Sequence, residues 1–286
     1  MARHGAGRRP TCKTRAELEA MREAGRVVAG ALDRLEGMIA PGVTTAELDR
    51  AAEEYIREHR ATPSFKGLYG YPATICCAPN EVVVHGIPDA QTVLHGGDIL
   101  GIDIGAQVDG LHADLTRTFM VGEVSDGARR LIEKTKAALE AGIAQAVEGA
   151  RVLDISRAVQ EAVEGAGYSV VRDLTGHGIG RRFHEPPSIP NFVDLSQFPD
   201  DYRVRLRRGM TLAIEPMVTE GTFTIARDPD RWTYRTADGK LSAHFEHTVE
   251  VTRGAPRLLT LGRRDESGRQ STLEGSGAAG NGGYGS

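Results

Sequence analysis

Two amphipathic helix pairs set 107 residues apart constrain the fold of this chain more than any other feature. In the first pair, Thr14-Arg-Ala-Glu17 has the capping-box pattern, and Leu18, Met21, Gly25, Val28, Leu32, Leu35 and Ile39 follow at three- and four-residue steps until Pro41-Gly42. Thr44-Thr-Ala-Glu47 then caps a second helix with the stripe Leu48, Ala51, Ala52, Tyr55 and Ile56. The later pair carries Leu131, Ile132, Leu139, Ile143 and Val147, then Leu153, Ile155, Val159 and Val163. Displaced by 107 residues, Ala31-Leu32-Asp33 falls on Ala138-Leu139-Glu140, Gly42 on Gly149, Leu48 on Ile155 and Glu54 on Glu161, the mark of an internal duplication. Short strand patterns at 73–75, 82–84, 210–215 and 242–251 lie between and after the pairs. Helices, strands, helices, strands in that order predict an α/β protein of the α+β type, with two halves around antiparallel pairs instead of a doubly wound sheet.

With 40% hydrophobic and 26% charged residues in 286, the chain has the make-up of an ordinary globular protein. A net charge of -4 gives no reason to expect stable nucleic-acid or membrane binding. Five cations (Arg3, Arg8, Arg9, Lys13, Arg15) precede the first acid, Glu17, and read as a solvated basic arm whose one macromolecular implication is ribosome proximity. Three cysteines cannot build a disulfide framework, and neither a signal-peptide core nor an 18-residue apolar run occurs, so a cytoplasmic protein is expected. Composition divides the chain into a disordered basic tail at 1–13, a single folded domain at 14–262 and a flexible Gly/Ser-rich tail at 263–286.

The chemistry begins at Asp109-Gly110, a strong hairpin signal between strand patterns at 98–108 and 111–121. A two-residue loop there places Gly105 opposite Asp114, with Asp103 on the same face and diagonal to it. Two carboxylates so close inside an apolar sheet raise one another's pKa unless a cation lies between them. The stretch alone equally allows turn acids with Asp103 paired to Arg117. His177 on the Gly-flanked run 176–180, Glu215 at the end of an apolar strand before Pro216, and Glu246 in mid-strand add donors that together suit a dinuclear centre of hard-to-borderline ions. No dinucleotide fingerprint, helical zinc-protease motif, Gly-x-Ser-x-Gly or thioredoxin-type cysteine pair competes with that reading.

The chain resembles the type I methionine aminopeptidases over nearly all of its folded region. The resemblance is carried by Tyr69-Gly-Tyr-Pro72, Asn80-Glu-Val-Val-Val-His-Gly-Ile-Pro88, Gly97-Asp-Ile-Leu-Gly-Ile-Asp103, Asp109-Gly-Leu-His-Ala-Asp114, Gly176-His-Gly-Ile-Gly-Arg-Arg-Phe-His-Glu185, Ile214-Glu-Pro-Met217 and Phe245-Glu-His-Thr248. It implies the pita-bread fold, in which two pseudo-symmetric halves of helix pairs pack on a curved, mainly antiparallel sheet. It further implies removal of the N-terminal methionine of nascent polypeptides when the second residue is small.

By resemblance, the ligands of two divalent ions (Co, Mn, Fe or Zn) are Asp103, Asp114, His177, Glu215 and Glu246, and a water bridging the ions is the nucleophile. Glu215 also helps to deprotonate that water, and His85 and His184 hydrogen-bond the scissile peptide. The methionine pocket falls on Tyr71, Cys76, Phe183 and Trp232, with Leu68 and Phe65 in its outer part. A monomer is expected. Three residues depart from the family pattern: Leu68 stands where many members have Tyr, Phe65 where many have Cys, and Gly105 where Thr is frequent. Two other readings weighed here are a proline-specific peptidase of the same fold and a binding protein that has lost catalysis. The former usually brings a large N-terminal domain and the latter lost ligands.

Overall fold

The computed structural model describes residues 10–262. The tail expected at 263–286 and most of that expected at 1–13 lie outside them. Helix α1 (Arg15–Glu36) and helix α2 (Thr45–Glu58) both open on the expected capping boxes, in which Thr14 and Thr44 bond the Glu17 and Glu47 amides and each glutamate bonds back. Helices α3 (Asp126–Ala144) and α4 (Val152–Glu164) form the second pair.

The duplication extends to single hydrogen bonds. Gly42 and Gly149 take the left-handed backbone at φ +95° and +94°. The Gly42 amide donates to Leu94 and the Gly149 amide to Leu206, and Thr44 and Arg151 each form an isolated antiparallel bridge, to Val93 and Arg205. Side chains diverged between the halves while the backbone solution was kept.

Every ladder joining two strands is antiparallel among the described residues. The hairpin Ile99–Val108 with Leu111–Met120 is the spine of the first half, and α1 and α2 cover one of its faces through Val28, Leu32, Leu35, Leu48 and Ile56 against Ile102, Ile104 and Leu115. In the second half Leu139, Val152 and Ile155 pack on Leu212, Ile214 and Val249. Arg117 points to the helix side and pairs with Asp33 of α1 at 2.7 Å, so it is not the partner of Asp103. The chain closes on its own beginning: a Cβ at Gly25 would sit 1.8 Å from the Leu259 carbonyl oxygen, so only glycine lets the last segment lie on α1.

Three expectations need correction. The strand expected at 73–75 runs instead over Ile75–Pro79, because it pairs with Leu100 to Ile104 of the hairpin. The strand expected at 242–251 is broken into Ser242–His244 and His247–Glu250, which belong to different sheets. Residues 11–13 are not a free tail: Lys13 and Thr11 bind the buried Glu185 carboxylate, which a charged partner must neutralise.

Candidate metal centre

Hairpin register places Gly105 opposite Asp114 and Asp103 opposite Thr116, as the two-residue loop requires. A Cβ on Gly105 would lie 2.9 Å from Phe65, Phe183 and Ser64 alike. The ring of Phe65 thus occupies space that a larger residue at 105 would need. Phe65 and Gly105, two of the three residues that depart from the pattern of the resemblance, are neighbours in one wall.

His177 enters from the strand Thr175–Gly178. Its Nδ1 lies 2.9 Å from the Gly178 carbonyl, which makes Nδ1 the protonated nitrogen and turns the Nε2 lone pair to the acids. Nε2 stands 3.6 Å from Glu215 Oε1 and 3.8 Å from Asp114 Oδ2. Glu215 and Glu246 share one device. The strand Thr211–Ile214 pairs with His247–Glu250, and Met217–Thr219 pairs with Ser242–His244; between these ladders both chains break at the same level. The break frees Glu215-Pro216 and Phe245-Glu246 from sheet pairing, and both glutamates turn to the hairpin acids. Glu246 is therefore held at a break and not in mid-strand. Thr116 Oγ1 donates to its Oε2 at 3.0 Å.

Two triads capable of gripping an ion overlap at Glu246: Asp114, His177 and Glu246, and Glu215, His244 and Glu246, with ligand atoms within 4.8 Å of one another. Asp103 Oδ1, Glu246 Oε1 and His244 Nε2 are buried without a hydrogen-bond partner. Burial pushes the carboxyls of Asp103, Asp114, Glu215 and Glu246 up; for Asp114 the neighbouring Glu246, Asp103 and Glu215 add to the effect, and for Glu215 the charge of Asp103 does. Four buried acids with orphaned oxygens and an imidazole fit the binding of divalent metal.

A sign follows. Unfolded carboxyls ionise near pH ~4. Between that pH and their raised native values, the metal-free fold retains protons that the unfolded chain has lost, so these groups stabilise it at low pH and the contribution fades as pH rises. Ion binding displaces the same protons, so affinity is expected to rise with pH. Titration calorimetry at pH 6.5 in two buffers of different ionisation enthalpy should show net proton release; equal heats would mean that the acids are already ionised.

A cavity of about 240 Å³ opens onto Asp103, Asp114, His177 and Glu215. Its lining includes all six expected pocket residues, Phe65, Leu68, Tyr71, Cys76, Phe183 and Trp232, together with His85 and His184. Tyr71 is fixed by hydrogen bonds from its hydroxyl to the Ile75 and Gly86 carbonyls, and Trp232 packs edge-on against its ring. His85 follows the strand Val82–Val84 with a left-handed backbone, φ 59°, where Gly86 is pressed onto the Cys77 carbonyl. Burial, then the charges of His244 and Arg227, lower its pKa to about 4, so it is neutral at physiological pH.

Sequence reasoning singled out neither His244 nor Tyr69, two of the eight wall residues it missed. His244 was legible, since it lies two residues before Glu246 in an extended segment and so faces the same way. Tyr69, whose ring stacks on His184 at 5.7 Å, depends on a left-handed turn with φ 52° that no pattern signals.

The family profile of the M24 metallopeptidases matches residues 19–253. The chain belongs to the M24 metallopeptidase family. Among its relatives, a methionine aminopeptidase of Clostridium acetobutylicum is 48% identical over 249 residues, covering 87% of this chain and 98% of that protein. Methionine aminopeptidase 1 of Bacillus subtilis is 46% identical over 249 residues, with 87% and 98% covered. The crystal structure of the Thermotoga maritima methionine aminopeptidase superposes with a TM-score of 0.84 at 41% identity, covering 88% of this chain and 99% of that one. The architecture is the pita-bread fold. A prolidase from Pyrococcus furiosus shares that fold at 22% identity and a TM-score of 0.71. This M24 member is a metal-dependent aminopeptidase.

Proposed function

We propose that this M24 enzyme removes the N-terminal methionine of nascent polypeptides whose second residue is small, using two divalent ions of the Co, Mn, Fe or Zn type. The observation that carries this reading is the direct opening of the aromatic and sulfur-lined pocket onto the acid cluster. A thioether chain in that pocket meets the aromatic edges of Tyr71, Phe183 and Trp232 and the Cys76 thiol, soft surfaces that suit sulfur. It also brings the first peptide bond to the ligands. Asp103, Asp114, His177, Glu215 and Glu246 would hold the ions. Bound there, they polarise the scissile carbonyl and lower the pKa of water so that hydroxide is available near neutrality.

The chain's own groups do the rest. Glu215, whose Oε2 lies 3.6 Å from His244 Nε2, suits a carboxylate that takes the proton of the attacking water and passes it to the leaving amine. His184 donates to the scissile peptide, and neutral His85 offers an N–H to the developing oxyanion. Three free cysteines are in keeping with work in the cytoplasm. Among the described residues no helix is long and apolar enough to cross a membrane.

The test is hydrolysis of Met-Ala-Ser, Met-Leu-Ser and Ala-Pro peptides, with added ions and with chelator. Cleavage of the first alone, abolished by chelator and restored by ions, is the expected result. Cleavage of Ala-Pro, or indifference to chelator, overturns the proposal.

A further inference from the structure

We infer that His244 is a sixth metal ligand, an imidazole that grips an ion together with Glu215 and Glu246. This rests on the reading that the buried acids hold divalent ions, and it adds a donor that the resemblance does not imply. The ligand atoms of Glu215, His244 and Glu246 lie within 4.8 Å of one another. His244 Nε2 is 3.6 Å from Glu215 Oε2, and His177 Nε2 is 3.6 Å from the other oxygen, Oε1. One carboxylate is therefore flanked by two imidazoles at the same distance. That separation is too long for a hydrogen bond. It does fall within the roughly 3–4 Å that separates two donors each about 2.0–2.2 Å from a shared ion.

The donor is buried, unpaired and rigidly placed. His244 is 3% exposed, and its Nε2 has no hydrogen-bond partner among the described residues. An unpaired polar atom is costly inside a protein, and one ion would satisfy both this nitrogen and the equally orphaned Glu246 Oε1. The strand Ser242–His244 sets His244 opposite Met217. The His244 amide donates to Thr118 Oγ1 at 3.0 Å, and the same hydroxyl donates to the His244 carbonyl at 2.8 Å. Thr118 lies on the hairpin strand Leu111–Met120, two residues beyond Thr116, whose hydroxyl holds Glu246. Alternation along that strand puts both threonines on the face of Asp114. The hairpin thus places Glu246 and His244 by one two-residue step, from the strand that also supplies a ligand.

The consequence is a choice of metal. With His177 in one triad and His244 in the other, each triad has two carboxylates and one nitrogen. Without His244 the second would offer oxygen alone, a set that suits hard Mn; an imidazole moves the preference to borderline Co, Fe or Zn.

The experiment uses the full chain saturated with Co, as wild type and as His244→Gln, and reads the imidazole protons that a bound paramagnetic ion shifts far outside the usual proton NMR range. Wild type should show two coordinated rings and His244→Gln one. Titration calorimetry of the metal-free proteins should show that His244→Gln weakens Zn binding on the order of a hundredfold and Mn binding by less than about tenfold. A single coordinated ring in wild type overturns the inference and leaves the metal centre standing, as does a second ring that survives His244→Gln, or unchanged affinity for both ions. Absence of ion uptake by wild type overturns the metal centre itself, and His244 ligation with it. Should His244→Gln fail to fold, His85→Ala and His184→Ala take its place, since these are the other two histidines of the cavity beside His177 and His244. Two coordinated rings that persist in both variants support the inference, and one overturns it.

Discussion

Asp103→Ala is expected to raise the stability of the metal-free protein while abolishing metal-dependent turnover. The two effects have one cause. The charge of Asp103 raises the carboxyls of Asp114, Glu215 and Glu246, a repulsion among buried acids, and its Oδ1 has no hydrogen-bond partner. Removing it relieves that repulsion, a gain of about 1–2 kcal/mol when no ion is present. The same change deletes a ligand, and loss of a group that helps to hold charge at a reacting centre costs on the order of a thousandfold or more in rate. Calorimetric melting with chelator and with ions, beside metal analysis, gives both readings. A variant that melts lower than wild type without ions, or that keeps full metal stoichiometry, would show that Asp103 is a structural acid.

His184→Ala separates chemistry from binding. His184 lines the cavity beside His177 outside both ion-gripping triads and, unlike Asp103, whose Oδ1 is orphaned, it has its Nδ1 engaged by the Tyr69 hydroxyl at 3.4 Å. Its loss should therefore leave metal content near wild type and lower kcat on Met-Ala-Ser by roughly 10²–10⁴, the usual worth of a positioned donor. Steady-state kinetics with parallel metal analysis decides the point. If metal leaves with the rate, His184 belongs among the ligands.

The sequence held the hairpin, both helix pairs and the shared face of Asp103 and Asp114 because each depends on local chemistry: caps, and a turn that fixes register. It hid what depends on distant segments. Nothing local says that the strand of residues 242–251 must break at Phe245-Glu246, since the break is made by the matching one at Glu215-Pro216 on the neighbouring chain segment. Nor does a polar run such as Thr11-Cys-Lys13 disclose a buried acid 172 residues away. The departures at Phe65 and Gly105 read as separate in the sequence and become neighbours only where the rings meet. Reversing either alone would cavitate or overpack the same wall.

The contact of Gly25 with the Leu259 carbonyl sets the order in which a working molecule can appear. A chain made from its N-terminus presents α1 and the Asp103–Asp114 hairpin first, while Glu215, Glu246 and the segment Leu259–Thr260 that lies on α1 are still to come. During that interval the hairpin carboxylates face water and remain solvated, so the electrostatic conflict does not yet exist. It arises only at closure, when the late glutamates are brought in and water is expelled. Synthesis therefore passes through no half-active stage: both ion-gripping triads need Glu246, so neither is complete until that residue has been added.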